Sequence, residues 1–286
     1  MQLQPNYIRL PTIPTISELY TYPIKSLGGI SLQKTNLDRF GLKMDRRFML
    51  IDSNNKFMSQ REIPELALFR LKFEKDGFVV EHQNHQGQEI FIKLKPTNPK
   101  KEVNVQIWDD NVVAEHTTSK IDAWFSDMLS AKVRLVQMPH AGVRQVDARF
   151  APKGTMTAFS DGFPILLISQ ASLDDLNEKL IAKSEPAITI DRFRPNIVVA
   201  DTEAFAEDKW NTFQINGISF SCVKPCARCV VTTIDQQTAI AGKEPLKTLA
   251  TYRKVENKVL FGQNIIFKAT GTAICVGQPI QKVTLR

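Results

Sequence analysis

The pair Asn216-Gly217, followed by Ile218, Phe220 and Cys222 alternating with Ser219 and Ser221, points this chain toward β-hairpins. Asn-Gly suits the two left-handed positions of a two-residue hairpin turn. The alternation has the period of a strand with one buried face. Runs of this kind recur between turn signals. Arg46 to Ile51 precedes the turn Asp52-Ser53-Asn54-Asn55, and Leu66 to Phe73 and Phe78 to Val80 flank Asp76-Gly77. More strands are expected over 86–117, around a Lys-rich turn at Pro96 to Lys101, and over Ile165 to Ser169, Ile197 to Val199 and Ile265 to Lys268. Val230-Val231-Thr232-Thr233-Ile234, β-branched throughout, reads as another. The spacing predicts a β-meander or small barrel in the first half.

Three helices interrupt this pattern. Ser119 is the expected cap of a helix whose buried face carries Ile121, Trp124, Phe125, Met128 and Leu129. Ser172 with Asp175 resembles a capping box for Leu173 to Ile181, and Pro245 opens a short helix toward Arg253. The expected fold is predominantly β (α+β) with a few peripheral helices.

Composition narrows the function classes. With 43% hydrophobic and 23% charged residues the chain has the balance of a folded globular protein. No apolar run approaches the ~18 residues of a membrane span. Met1 to Thr12 lacks the basic and apolar regions of a signal peptide. Four cysteines in 286 residues are not a disulfide framework, which implies a reducing, cytoplasmic setting. The net charge of +7 favours a small anion or an acidic protein partner. Nucleic acid is not expected, because the basic residues are scattered without interleaved aromatics.

Chemistry-bearing residues gather at a few strand ends. Cys226-Ala227-Arg228-Cys229 sets two thiols and a cation on what reads as a tight loop between strands. This spacing admits a structural zinc site, a redox dithiol, or a thiolate ligating a soft metal that a cofactor holds. It also admits two small buried residues with no chemistry. Lys25-Ser26, next to the Gly28-Gly29 turn, is a candidate phosphate-binding corner. Arg46 and Arg47 open an apolar strand and cannot both point inward. Arg194, expected extended because Pro195 follows, and Asn196 suit a planar or phosphate-bearing ligand. Residues 140–164 read as a long functional loop ending at Asp161-Gly162-Phe163. His82 and His85 read as parts of an exposed loop and not as metal ligands.

Together these motifs resemble the MOSC family, specifically the amidoxime-reducing branch with an additional N-terminal β-barrel domain. The resemblance rests on Tyr22-Pro23-Ile24-Lys25-Ser26, Arg46-Arg47-Phe48, Phe193-Arg194-Pro195-Asn196, Cys226-Ala227-Arg228-Cys229, Lys243-Glu244-Pro245-Leu246 and Phe261-Gly262-Gln263, in that order. It implies a β-barrel domain over 13–133 and a MOSC domain over 134–286. It implies a molybdenum cofactor (Mo-molybdopterin), and pyridoxal phosphate is not expected. Cys229 would ligate molybdenum. Lys25, Ser26, Arg47, Arg194 and Asn196 would hold the cofactor, with Ala227 and Arg228 approaching it. Gly162 and Phe163 stand where relatives carry hydroxyl residues, which leaves backbone contacts, and Asn264 stands where a relative has an aromatic residue. The implied reaction is two-electron reduction of N-hydroxylated compounds, with Arg228 or Asp161 assisting proton transfer or orientation. No four-cysteine iron–sulfur domain follows the last MOSC strand, so the expected electron donor is a separate acidic haem, flavin or iron–sulfur carrier. Two other roles fit the same motifs: sulfur transfer through a persulfide on Cys229, and non-catalytic carriage of the cofactor.

Overall fold

The computed structural model describes residues 13–94, 101–268 and 271–286. The N-terminal reading of Met1 to Thr12 lies outside these residues, as does most of the turn placed at Pro96 to Lys101. The fold is predominantly β. Its largest sheet has nine strands. In order across the sheet run Gln281–Leu285, Trp210–Ile215, Ile218–Ala227, Lys258–Lys268, Ile165–Ser169, Ile197–Ala200, Thr15–Thr21 and Ile30–Leu32, and Lys254–Val255 pairs with Lys258–Lys268 off this path. Asn216 and Gly217, with φ of 48° and 76°, make the hairpin turn expected from sequence, and Ile215 faces Ile218 across it. Ile165–Ser169 and Ile197–Ala200 run parallel, joined through helix α1 (Gln170–Ile181), since parallel neighbours need a crossover.

Among the described residues three smaller sheets accompany the nine-stranded one. Phe69–Glu74, Gly77–His82 and Glu89–Lys93 form the expected meander. Phe48–Ile51, Arg134–Gln137, Asp110–His116 and Glu102–Ile107 form a four-stranded sheet. Ala273–Cys275 pairs with Lys34–Asp38, which pairs with Gly41–Leu42. The two halves of the sequence therefore exchange strands. Thr15–Thr21 lies against Ile197–Ala200 in the large sheet, and Ala273–Cys275 returns to a strand near the start. The core beneath the large sheet accordingly mixes both ends, with Ile16, Leu19 and Leu37 packed among Phe213, Phe220, Ile265 and Ile274. A second core gathers Ile24, Phe48, Phe69, Phe78 and Phe125 around helix α2 (Ser119–Leu129).

Several local expectations are corrected. Val230–Thr233 is a 3₁₀ turn, not a strand. Thr232 and Thr233 bend their hydroxyls back onto the carbonyls of Cys229 and Val230, so side-chain bonding to the backbone overrides β-propensity. Cys226 lies within the strand Ile218–Ala227, and only Arg228 and Cys229 occupy the turn that follows. Helix α1 starts three residues before Leu173. Its cap is Ser169, whose hydroxyl accepts from the Ser172 amide. His82 ends a strand and is buried against Phe69, so it is not in an exposed loop. Arg194 is left-handed (φ 54°, ψ 47°) and closes a 3₁₀ turn by donating its amide to the Asp191 carbonyl. That turn outweighs the extended preference of a residue before proline. Gly262, with φ of 82°, lies where any Cβ would meet the Leu167 carbonyl and the Ile168 side chain. Glycine thus lets Lys258–Lys268 turn close over Ile165–Ser169.

Candidate functional site

An open cleft, with about 790 Å³ of non-atom space counting the solvent at its mouth, lies where the two halves of the chain meet. Five cationic side chains line it: Lys25, Arg46, Arg61, Arg194 and Arg228. Asp161 is the one carboxylate among its lining residues. Cys226 and Cys229 form part of the wall.

Tyr22 sets the spacing of two of these cations. The Arg46 guanidinium lies 4.2 Å from the Tyr22 ring centroid and that of Arg194 lies 4.3 Å away, so the ring's negative face offsets two like charges. Arg46 is further fixed by buried Asp45, with both carboxylate oxygens 2.8 Å from Nη1. Asp45 also accepts from the Tyr22 amide and from Asn196 Nδ2. Asn196 thus lines the cleft with its side chain committed to the protein. Nδ2 donates to Asp45 and the Tyr20 carbonyl, and Oδ1 accepts from the Leu166 amide and Arg46. Arg194 donates to the Leu27 carbonyl at 2.7 Å. Burial, and then the neighbouring Arg46 charge, lowers its pKa to about 10.

Lys25 is buried, and its ammonium lies 2.5 Å from Asp161 Oδ1. Burial lowers its pKa to about 8, against the opposing pull of Asp161. Burial alone would raise the Asp161 carboxyl, but Lys25 and Arg61 together hold it well below the usual carboxylate range. Asp161 therefore stands as a counter-charge to Lys25 and Arg61. Arg228 donates to the Phe193 carbonyl at 2.6 Å and to Cys226 Sγ at 3.0 Å. The Cys229 thiol instead accepts from Arg61 Nη2 at 3.1 Å.

Of the residues chosen from sequence, Lys25, Ser26, Asp161, Gly162, Phe163, Arg194, Asn196, Arg228, Cys229 and Asn264 come together around this cleft. Two do not. Ala227 is exposed and pairs with Leu260 along the strand, away from the lining. Arg47 points to the opposite side, where it donates to Asp38 and the Met138 carbonyl and stacks on Phe40. Its neighbour Arg46 enters the cleft instead. Adjacent residues at a strand entrance diverge, and the sequence carries no signal for which one turns inward. The sequence motifs do not single out Arg61, Gln60 or Ser160. Arg61 and Gln60 come from an irregular segment without local periodicity, and Ser160 precedes the chosen turn by one residue.

The cleft has the chemistry of an anion site with a soft metal ligand. Five cations face one lining carboxylate, and Ser160 Oγ is buried in the wall without a hydrogen-bond partner. Among the described residues no group of three or more His, Cys, Asp or Glu side chains is placed to hold a metal ion. A zinc site made of protein ligands alone is thus not assembled among them. A thiolate beside many cations suits a metal that arrives with an anionic organic group. The Lys25 charge gives a direct test. Sulfate binding to the metal-free protein, measured by calorimetry, is expected to weaken several-fold as pH rises through about 8. Lys25 is charged below that value and neutral above it. The Lys25→Arg variant is expected to lack this inflection, and a flat wild-type profile across that range would contradict the assignment.

Residues 13–132 match the MOSC N-terminal beta barrel domain, and residues 155–281 match the MOSC domain. The chain is 31% identical over 295 residues to mitochondrial amidoxime-reducing component 1 of Danio rerio, covering 96% of this chain and 87% of the relative. It is 31% identical over 289 residues to the Homo sapiens component 1, covering 95% and 83%. It is 28% identical to molybdenum cofactor sulfurase of Arabidopsis thaliana, covering 86% of this chain and 32% of that protein. The order of its motifs, the cleft they share and these matches together place the chain in the MOSC family, in the branch that joins a MOSC N-terminal β-barrel domain to a MOSC domain.

Proposed function

We propose that this protein holds a molybdenum cofactor in the cleft and reduces N-hydroxylated compounds, amidoximes and hydroxylamines, with electrons from a separate donor protein. The observation that carries this reading is the convergence of five cations on a wall containing the Cys229 thiol. When bound, the cofactor supplies a two-electron centre at which an N–O bond is reduced and water is released. Lys25, Arg46 and Arg194 would hold its anionic portion, and Cys229 would ligate its metal. Ser160 Oγ and the backbone at Gly162, beside which a side chain would find open space, would provide further polar contacts. Asp161 keeps Lys25 and Arg61 in place between ligands and so preserves the cleft's shape. The net charge of +7 favours an acidic haem, flavin or iron–sulfur carrier as donor.

The test is metal analysis by plasma mass spectrometry of protein made in a cofactor-competent host, followed by turnover of benzamidoxime with candidate donors. Near-stoichiometric molybdenum and turnover are expected. The rate should fall as ionic strength rises past about 0.15 M, where the Debye length is about 8 Å. A salt-independent rate would argue against an acidic donor. The similarity to a molybdenum cofactor sulfurase supports a second reading, sulfur transfer through a Cys229 persulfide. Detection of that persulfide in protein lacking molybdenum would favour it over the reductase.

A further inference from the structure

Arg61 and Trp108 reach the thiol end of the cleft from the first half of the chain. Trp108 occupies the first position of the two-residue turn between Glu102–Ile107 and Asp110–His116, with φ of 55°. That conformation favours glycine or asparagine, and a bulky aromatic residue there is an outlier. Trp108 is 38% exposed. Residues held in sparsely populated backbone conformations cluster at active sites and ligand clamps. Trp108 packs on Phe57 with ring centroids 4.8 Å apart, and its ring centroid is 4.6 Å from the Arg61 guanidinium. Its indole N–H donates to Asp161 Oδ1 at 3.3 Å. Arg61 Nη2 lies 3.5 Å from Asp161 Oδ2 and 3.1 Å from Cys229 Sγ. The Arg61 side chain is about three-quarters buried, so its position is set by the indole face, the carboxylate and the thiol.

We propose that Arg61 is the substrate-orienting residue of this site, donating to the oxygen of the N–O group, and that Trp108 is a positioning residue that acts through it. This rests on the reductase reading above and names the group that recognises its substrate. A guanidinium fork beside the thiol offers directed donors to a polarised oxygen. Stacking on Trp108 and the bond to Asp161 restrict its freedom before substrate arrives, so little orientation is lost on binding. The preferred substrate is one whose oxygen carries partial or full negative charge, such as an amidoxime or a deprotonated hydroxamate.

Two measurements test this. In molybdenum-loaded protein, Arg61→Gln is expected to raise KM for benzamidoxime about tenfold or more, the size of a lost charge-assisted hydrogen bond, while molybdenum content stays at the wild-type level. Trp108→Leu should raise KM several-fold, and Trp108→Phe, which keeps an aromatic face, should recover most of that. In metal-free protein, the ratio of Cys229 alkylation rates by anionic iodoacetate and neutral iodoacetamide reports the cation beside the sulfur. Both reagents attack the same thiolate, so its population cancels from the ratio. Trypsin cleavage after Arg228 and Lys243 isolates Cys229 in a peptide with no other cysteine. Arg61→Gln is expected to lower the ratio several-fold, and Trp108→Leu to lower it partway. Loss of molybdenum in Arg61→Gln would make Arg61 a cofactor-holding residue and overturn the proposal. An active wild type with KM and alkylation ratio unchanged in Arg61→Gln would overturn it alone. A molybdenum-loaded wild type that reduces no N-hydroxylated compound would overturn the reductase reading and this inference with it.

Discussion

Asp45→Asn is expected to destabilise the protein by about 3 kcal/mol, the cost of leaving a largely buried cation without its partner. The carboxylate accepts from Arg46, from the Tyr22 amide and from Asn196 Nδ2, and Asp45 is 1% exposed. An asparagine of the same shape would turn an amide donor toward one of these donors. For a chain of this size the midpoint of thermal unfolding should fall by roughly 5–10 °C. Replacing both members of the pair, as in Asp45→Asn with Arg46→Met, should recover part of that loss, since the second change removes the unpaired charge. A midpoint within about 2 °C of wild type in the single variant would show that Arg46 finds another partner and that the network around Tyr22 is not held as described.

Under the proposed reductase function, Cys229→Ala is expected to remove benzamidoxime turnover by about three orders of magnitude or more, roughly 4 kcal/mol of barrier, with little change in thermal stability. Its Sγ accepts one hydrogen bond, from Arg61, and Cys229 is not among the buried core residues. Cys226→Ala should reduce turnover only a few-fold, through loosening of Arg228. The contrast separates a metal ligand from a neighbour that positions an arginine. Equal damage in both variants, or greater damage in Cys226→Ala, would reverse the assignment of the two thiols.

How far the sequence predicted this architecture depended on how local each cause was. The hairpin at Asn216-Gly217 and the meander around Asp76-Gly77 follow from turn chemistry and period-two alternation, both encoded within a few residues. The β-branched stretch after Cys229 misled, because two threonine hydroxyls satisfy backbone carbonyls in a way that propensity does not count. The motifs led to one cleft, yet they selected Arg47 over Arg46. That choice depends on a buried aspartate and on an asparagine 150 residues away, which set the inward direction only in three dimensions. Arg61 and Trp108 carried no local pattern. Their importance comes from the approach of the first half of the chain to a thiol in the second.

The exchange of strands between the two halves has a consequence for synthesis. Thr15–Thr21 leaves the ribosome early, but its neighbour Ile197–Ala200 follows about 180 residues later. At the usual ~5–20 residues per second, this strand waits on the order of ten seconds or more with an unpaired edge. Contacts of such sequence separation also slow folding in general. The nascent chain is therefore exposed to mispairing over that interval, and a fragment ending near residue 133 would carry two strands whose partner sheet does not exist.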